Sequence, residues 1–121
     1  MPPIEEEAVA DLVQRYAEAA CAHGRATEAG DHATTNQASE VIAGVYRELR
    51  RRGVDAQSAL LPLLHAAEPG VRLWAGSHAL EFAPADGERA LSALEDGPER
   101  LLAFSAKMTL RQWRSGCLVF R

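Results

Sequence analysis

The sequence lacks most of what marks a common function. It has two cysteines, Cys21 and Cys117, far apart and outside any CxxC or ligand spacing. That argues against a disulfide frame or a thiolate metal site and for a reducing, cytoplasmic setting. Val, Ile and Thr are sparse, and no segment alternates with period two long enough to make a strand, which removes sheet-based folds. No apolar run approaches the roughly twenty residues of a membrane span. The acidic opening "MPPIEEEAV" has no leader features. GxSxG, Walker A, GxGxxG and HExxH are all missing. His23, His32, His65 and His78 are scattered, so neither a metal nor a cofactor is expected. There is one lysine, Lys107, and the net charge of −4 is too small to suggest a polyanion partner for the whole chain.

What is present points to helices. The 121 residues, 47% of them apolar, fit one domain (1–121) able to bury a core without staples. Alanine, leucine and arginine are abundant, which favours helix. A first helix is predicted over about 4–23, with Val9, Leu12, Val13, Tyr16 and Ala20 on one face and Glu5, Glu6 and Glu7 in its first turn. The mixed stretch 23–36 is expected to contain a loop, with helix over part of it as the alternative. Its Asp31, Thr34 and Thr35 read as an N-cap region. A second helix runs over about 34–52 and ends at Gly53 after the arginines of "RELRRR". Because Pro62 cannot sit in a helix interior, the next helix is expected to start at Ser58. The following helices are predicted at about 70–82, 85–96 and 98–114, punctuated by Pro69-Gly70, Pro84 and Gly97-Pro98. In the last, Leu101, Phe104, Ser105, Met108 and Gln112 are read as the inward side. "GCLVFR" forms an apolar tail, read as packing back on the domain.

A shift of thirty residues superposes Leu61 on Leu91, Leu64 on Leu94, Val71 on Leu101, Trp74 on Phe104, Gly76 on Ala106 and Leu80 on Leu110. Helix, tight turn, helix is one unit of a helical solenoid. The reading is an all-α superhelix of about six helices. A divergent pair (4–52) precedes two repeat units (about 55–82 and 85–114) and a tail (115–121). Trp74 and Phe104 are expected to fill the space between layers, so that Trp74→Ala would cost about 3–5 kcal/mol if the indole is fully buried.

Val71-Arg72, opening the second helix of a unit, resembles the HEAT repeat family. That resemblance implies an arginine that packs its stem along the unit and bonds a nearby carboxylate or carbonyl. More specifically, "NQASEVIAGVYRELRRRG", "LLPLLHAAEPGVRLWAGSHALEFAP" and "FSAKMTLRQWRSG" resemble a small bacterial family catalogued as domain of unknown function twenty-nineteen. The resemblance covers about 9–116 and implies a HEAT- or armadillo-like α-α superhelix and no enzyme activity.

With no catalytic constellation, a non-catalytic protein-binding module is the expected class. The groove of such a solenoid would be lined by 34–52, 70–82 and 98–114. Its candidate contact residues are Asn36, Glu40, Arg47, Arg72, His78, Arg111 and Trp113. Trp113 is alternatively a capping residue under the tail. Residues 1–46 hold eight acids against Arg15 and Arg25, which suits an immunity protein that neutralises a basic toxin. The alternatives are an adaptor in a multiprotein complex, or a nucleic-acid binder using Arg47, Arg50, Arg51, Arg52, Arg72 and Arg111 on one face. Monomer and homodimer both stay open.

Overall fold

The computed structural model describes residues 3–120 and is all-helical over them. Met1, Pro2 and Arg121, the last residue of the tail, lie outside the described residues. A short 3₁₀ turn (Ile4–Glu6) precedes α1 (Val9–Ala29) and α2 (His32–Arg52). A one-turn helix α3 (Val54–Ser58) and a 3₁₀ segment (Leu61–His65) follow. The chain ends with α4 (Pro69–Phe82), α5 (Pro84–Glu95), α6 (Arg100–Arg114) and the tail.

Three boundaries differ from expectation, each for a local reason. The acidic residues Glu5, Glu6 and Glu7 do not open α1; the buried Glu7 instead pairs with Arg15, in the second turn of that helix. The stretch 23–36, expected to contain a loop, is mostly helix. α1 runs on to Ala29, and Gly30, at φ 75°, takes the left-handed conformation that ends it. Asp31 then caps α2 by accepting from the Thr34 N–H at 3.2 Å and the Thr34 hydroxyl at 2.6 Å. No helix starts at Ser58. Pro62 lies near the start of a 3₁₀ segment, the tighter geometry a proline can open.

Two apolar clusters make the core, and α4 belongs to both. Leu12, Tyr16, Ile42, Val45 and Leu49 from α1 and α2 close on Val71 and Ala75. Leu91 and Leu94 of α5 and Leu102, Ala106 and Leu110 of α6 close on Leu73 and Leu80. A helix covered on two faces must be apolar nearly all round, which accounts for "PGVRLWAGSHALEF". The approach is close because glycines face backbone. A Cβ on Gly70 would stand 2.7 Å from the Ala20 carbonyl oxygen and 2.9 Å from Gly24 Cα. One on Gly87 of α5 would stand 2.7 Å from the Gly76 oxygen and 2.8 Å from the Leu80 nitrogen.

The inward face of α6 is not the expected one. Leu102, Ala106 and Leu110 are buried, whereas Leu101 is 49% and Phe104 61% exposed. Phe104 therefore fills no interlayer space. Trp74 is only half-buried, which brings Trp74→Ala down to about 2 kcal/mol. The thirty-residue match holds for burial at Gly76 and Ala106 and at Leu80 and Leu110, but not at Val71 and Leu101. Leu118 and Phe120 pack the tail against the second cluster beside Trp113.

Gly70→Ala and Gly87→Ala should each destabilise the fold by about 2–3 kcal/mol, through overpacking against backbone that cannot yield. Gly44→Ala, in the interior of α2 with no atom nearer than 4.0 Å to the added methyl, should stabilise it by about 0.5–1 kcal/mol. Urea denaturation of the three variants checks both signs.

Candidate functional site

One strip of α4 runs along the seam between the two cores, and it floors a cavity of about 470 Å³. Leu73, Trp74, Ser77 and His78, spaced i, i+1, i+4 and i+5, share that strip. Ser39 and Ala43 of α2 form one wall, and Ser105 and Thr109 of α6 the other. His23 of α1 and Leu118, Val119 and Phe120 of the tail complete the lining. None of these side chains is a carboxylate, a guanidinium or an ammonium.

His78 is held from several sides. Its Nδ1 lies 2.6 Å from the Tyr16 hydroxyl. The Tyr46 ring stacks on it at 3.7 Å between centroids, 8° from parallel. Tyr46 in turn accepts from Gln57 Nε2 at 3.0 Å and donates to Glu81, with the Arg50 guanidinium 5.2 Å over its ring. Burial pushes the His78 imidazole down to about 3, and the nearby Arg50 charge adds to the shift. Burial also lowers His23 from its ordinary value and raises Tyr16 and Tyr46, the latter helped by its bond to Glu81. The imidazoles and phenols around the cavity are thus neutral near pH 7. Trp74 meets His23 edge to face at 5.0 Å. The hydroxyls of Ser39 and Ser77 donate to the carbonyls of Thr35 and Leu73, at 2.9 and 2.7 Å.

Three arginines of the cluster are engaged within the fold. Arg50 donates to Glu81 at 3.0 Å and to the Phe120 carbonyl at 2.7 Å, tying the tail across one end of the cavity. Arg51 and Arg52 both donate to the buried Glu48, whose carboxyl these bonds hold down at about 2. Arg52 also reaches the carbonyls of Ile4 and Glu5.

Of the seven residues expected to line a groove, His78 lines this cavity. Asn36, Glu40 and Arg47 are exposed on α2, and with Ala43 they fall at i, i+4, i+7 and i+11, one stripe at the cavity's edge. Arg111 is exposed and borders a separate shallow depression with Glu95 and Lys107. Trp113 is half-buried against the second cluster. Among the described residues Arg72 does not meet the expected carboxylate or carbonyl: its Nε is buried and has no hydrogen-bond partner there. Sequence reasoning read Ser105 only as an inward packing residue and missed Ser39 and Ser77. Ser39, Ser77 and Ser105 each sit mid-helix, where serine has no capping role, and that was the available signal.

Among the described residues no group of three or more His, Cys, Asp or Glu could hold a metal, and no helix is long and apolar enough to cross a membrane. The chain belongs to the family described as Domain of unknown function (DUF2019), whose family model matches residues 10–113. No curated protein and no solved structure matches it.

The depressed His78 fixes a sign. Its folded value lies below the unfolded one of about 6.5, so the unfolded chain binds more protons between the two. The stability is complete above pH 6.5 and is lost as pH falls toward 3. His78→Gln, whose amide can still accept from Tyr16, should remove on the order of 4 kcal/mol of that pH dependence. Chemical denaturation of both proteins across pH 3–7 measures the difference.

Proposed function

We propose that this member of the DUF2019 family is a non-catalytic binding protein, a HEAT/armadillo-like α-α superhelix whose α2–α4–α6 groove receives an apolar segment of a protein partner. The observation that carries the reading is a cavity whose described lining is uncharged, bordered by an apolar wall that no described residue covers. Leu101, Ser105, Met108 and Gln112 fall on one stripe of α6, and Ser105 lines the cavity. Leu101 and Phe104 stand out beside it, and Val119 of the tail is 68% exposed. Large exposed apolar side chains around a concave site suit a buried anchor from a partner. Asn36, Glu40 and Arg47 supply the polar rim of such an interface.

The immunity form of the proposal draws on charge. Seven of the eight acids in residues 1–46 are exposed, and Glu7 alone is buried. A basic toxin would be steered toward that end of the molecule. An adaptor would use the same groove. The arginine-face alternative has less behind it, because Arg50, Arg51 and Arg52 are engaged by Glu81, Glu48 and the Phe120 carbonyl. The proposal includes a cytoplasmic setting in which Cys21 and Cys117 stay free.

Tagged capture from the native cell, comparing wild type with Ser105→Arg, tests the reading. Ser105→Arg puts an unpaired charge into the uncharged cavity. One partner at near-equal amount with wild type, and at least about tenfold less with the folded variant, is the expected result. A partner retained undiminished by the variant, or nucleic acid alone released by salt, would overturn it.

A further inference from the structure

The Tyr16 side chain is wholly buried, and a buried O–H must find an acceptor. Among the described residues its hydroxyl has one hydrogen-bond neighbour, His78 Nδ1. Were the imidazole proton on Nδ1, it would donate to the tyrosine oxygen, and the tyrosine proton would be sealed in without a partner. Tyr16 therefore donates, Nδ1 accepts, and the single proton of the neutral ring sits on Nε2. Nε2 has no partner among the described residues. It is not sealed either, because the two sealed and unpartnered side-chain polar atoms are Arg72 Nε and Trp74 Nε1. His78 lines the cavity, so its Nε2–H is a donor offered there, on a ring clamped by the Tyr46 stack.

The rest of the lining narrows what that donor meets. Ser39 and Ser77 direct their protons to helix carbonyls and present oxygen lone pairs, while the Ser105 and Thr109 hydroxyls of α6, which have no partner among the described residues, can turn a proton to the same guest acceptor. Among the described residues no charged side chain lines the cavity to replace the water an ion would lose. Leu73, Trp74 and Phe120 give apolar and aromatic walls around a space large enough for a ring. We infer that the cavity is a selective site for an uncharged aromatic or apolar group bearing a carbonyl-type acceptor, which takes the Nε2 proton of His78. This names the chemistry of what enters the groove and rests on the groove being the binding element.

Four probes share one ring and differ in that feature: benzamide, benzoate, benzamidine and toluene. Nitrogen-15 NMR of labelled histidine reads the tautomer and the contact, and titration gives the affinities. The expected result is an Nε2–H tautomer in the free protein and a benzamide-dependent shift of His78 Nε2. Benzamide should bind at least about tenfold more tightly than the other three. Tyr16 does not line the cavity, so Tyr16→Phe, if folded by circular dichroism, should relax the tautomer and bring benzamide within about threefold of toluene. The wild-type series decides the matter if that variant does not fold. N-acetylphenylalaninamide run alongside separates the sources: binding tighter than benzamide assigns the acceptor to a peptide segment, weaker binding to a free small molecule, and either sustains the inference. A proton on Nδ1, equal affinity across the four probes, or no effect of benzamide on His78 overturns it. If the probes fail while Ser105→Arg still abolishes partner capture, this inference alone falls; if both fail, the groove reading falls with it.

Discussion

The structure depends on how closely α4 can approach its neighbours. At Gly24 and Gly70 the backbones of α1 and α4 meet with no room for a side-chain carbon, and at Gly87 the backbone of α5 meets that of α4 at Gly76 and Leu80 in the same way. Two such contacts on one helix place it in the middle of the fold. They set Val71 and Ala75 into one cluster and Leu73 and Leu80 into the other. The strip along the seam between them is where Trp74, Ser77 and His78 reach the cavity. The site is therefore a by-product of packing: the same helix that joins the two cores carries the groove floor.

Charge secures the edges of this arrangement. Glu48 is buried but held ionised by two arginines one turn away. One of these, Arg52, also fastens the N-terminal 3₁₀ turn. A buried carboxylate left without partners would be strongly destabilising, so Arg51 and Arg52, read in the sequence as members of a polyanion face, have a structural task. Arg50 joins Tyr46, Glu81 and the Phe120 carbonyl, and so connects the clamp on His78 to the tail that closes one end of the cavity.

Much of this was legible in the sequence, and the rest was not for definable reasons. α2, α5 and α6 follow from apolar periodicity and α4 from a nearly continuous apolar run, bounded by Gly53, Pro69, Pro84 and Gly97-Pro98. These are local signals. The course of α1 through Gly24 was hidden, because a mid-helix glycine reads as a break until its partner, Gly70, 46 positions on, is known. α6 carries two apolar stripes, and periodicity reports that a face is apolar without saying what covers it. The stripe taken as core, Leu101 to Gln112, borders the groove, and Leu102, Ala106 and Leu110 do the packing. At the site, His78 was picked out by residue type. Ser39, Ala43, Ser105 and Thr109 come together only through tertiary packing, which no spacing along the chain could announce.

The most direct test of the central claim is acrylamide quenching of Trp74 in a Trp113→Phe background, with and without Gly70→Ala. Residue 70 does not line the cavity, one turn before Trp74 on α4. If the glycine contact seats that helix, the added methyl shifts the groove floor and the indole becomes clearly more accessible to quencher under conditions where the protein stays folded. An unchanged quenching constant would contradict the account, since the cavity would then be formed independently of the contact said to create it.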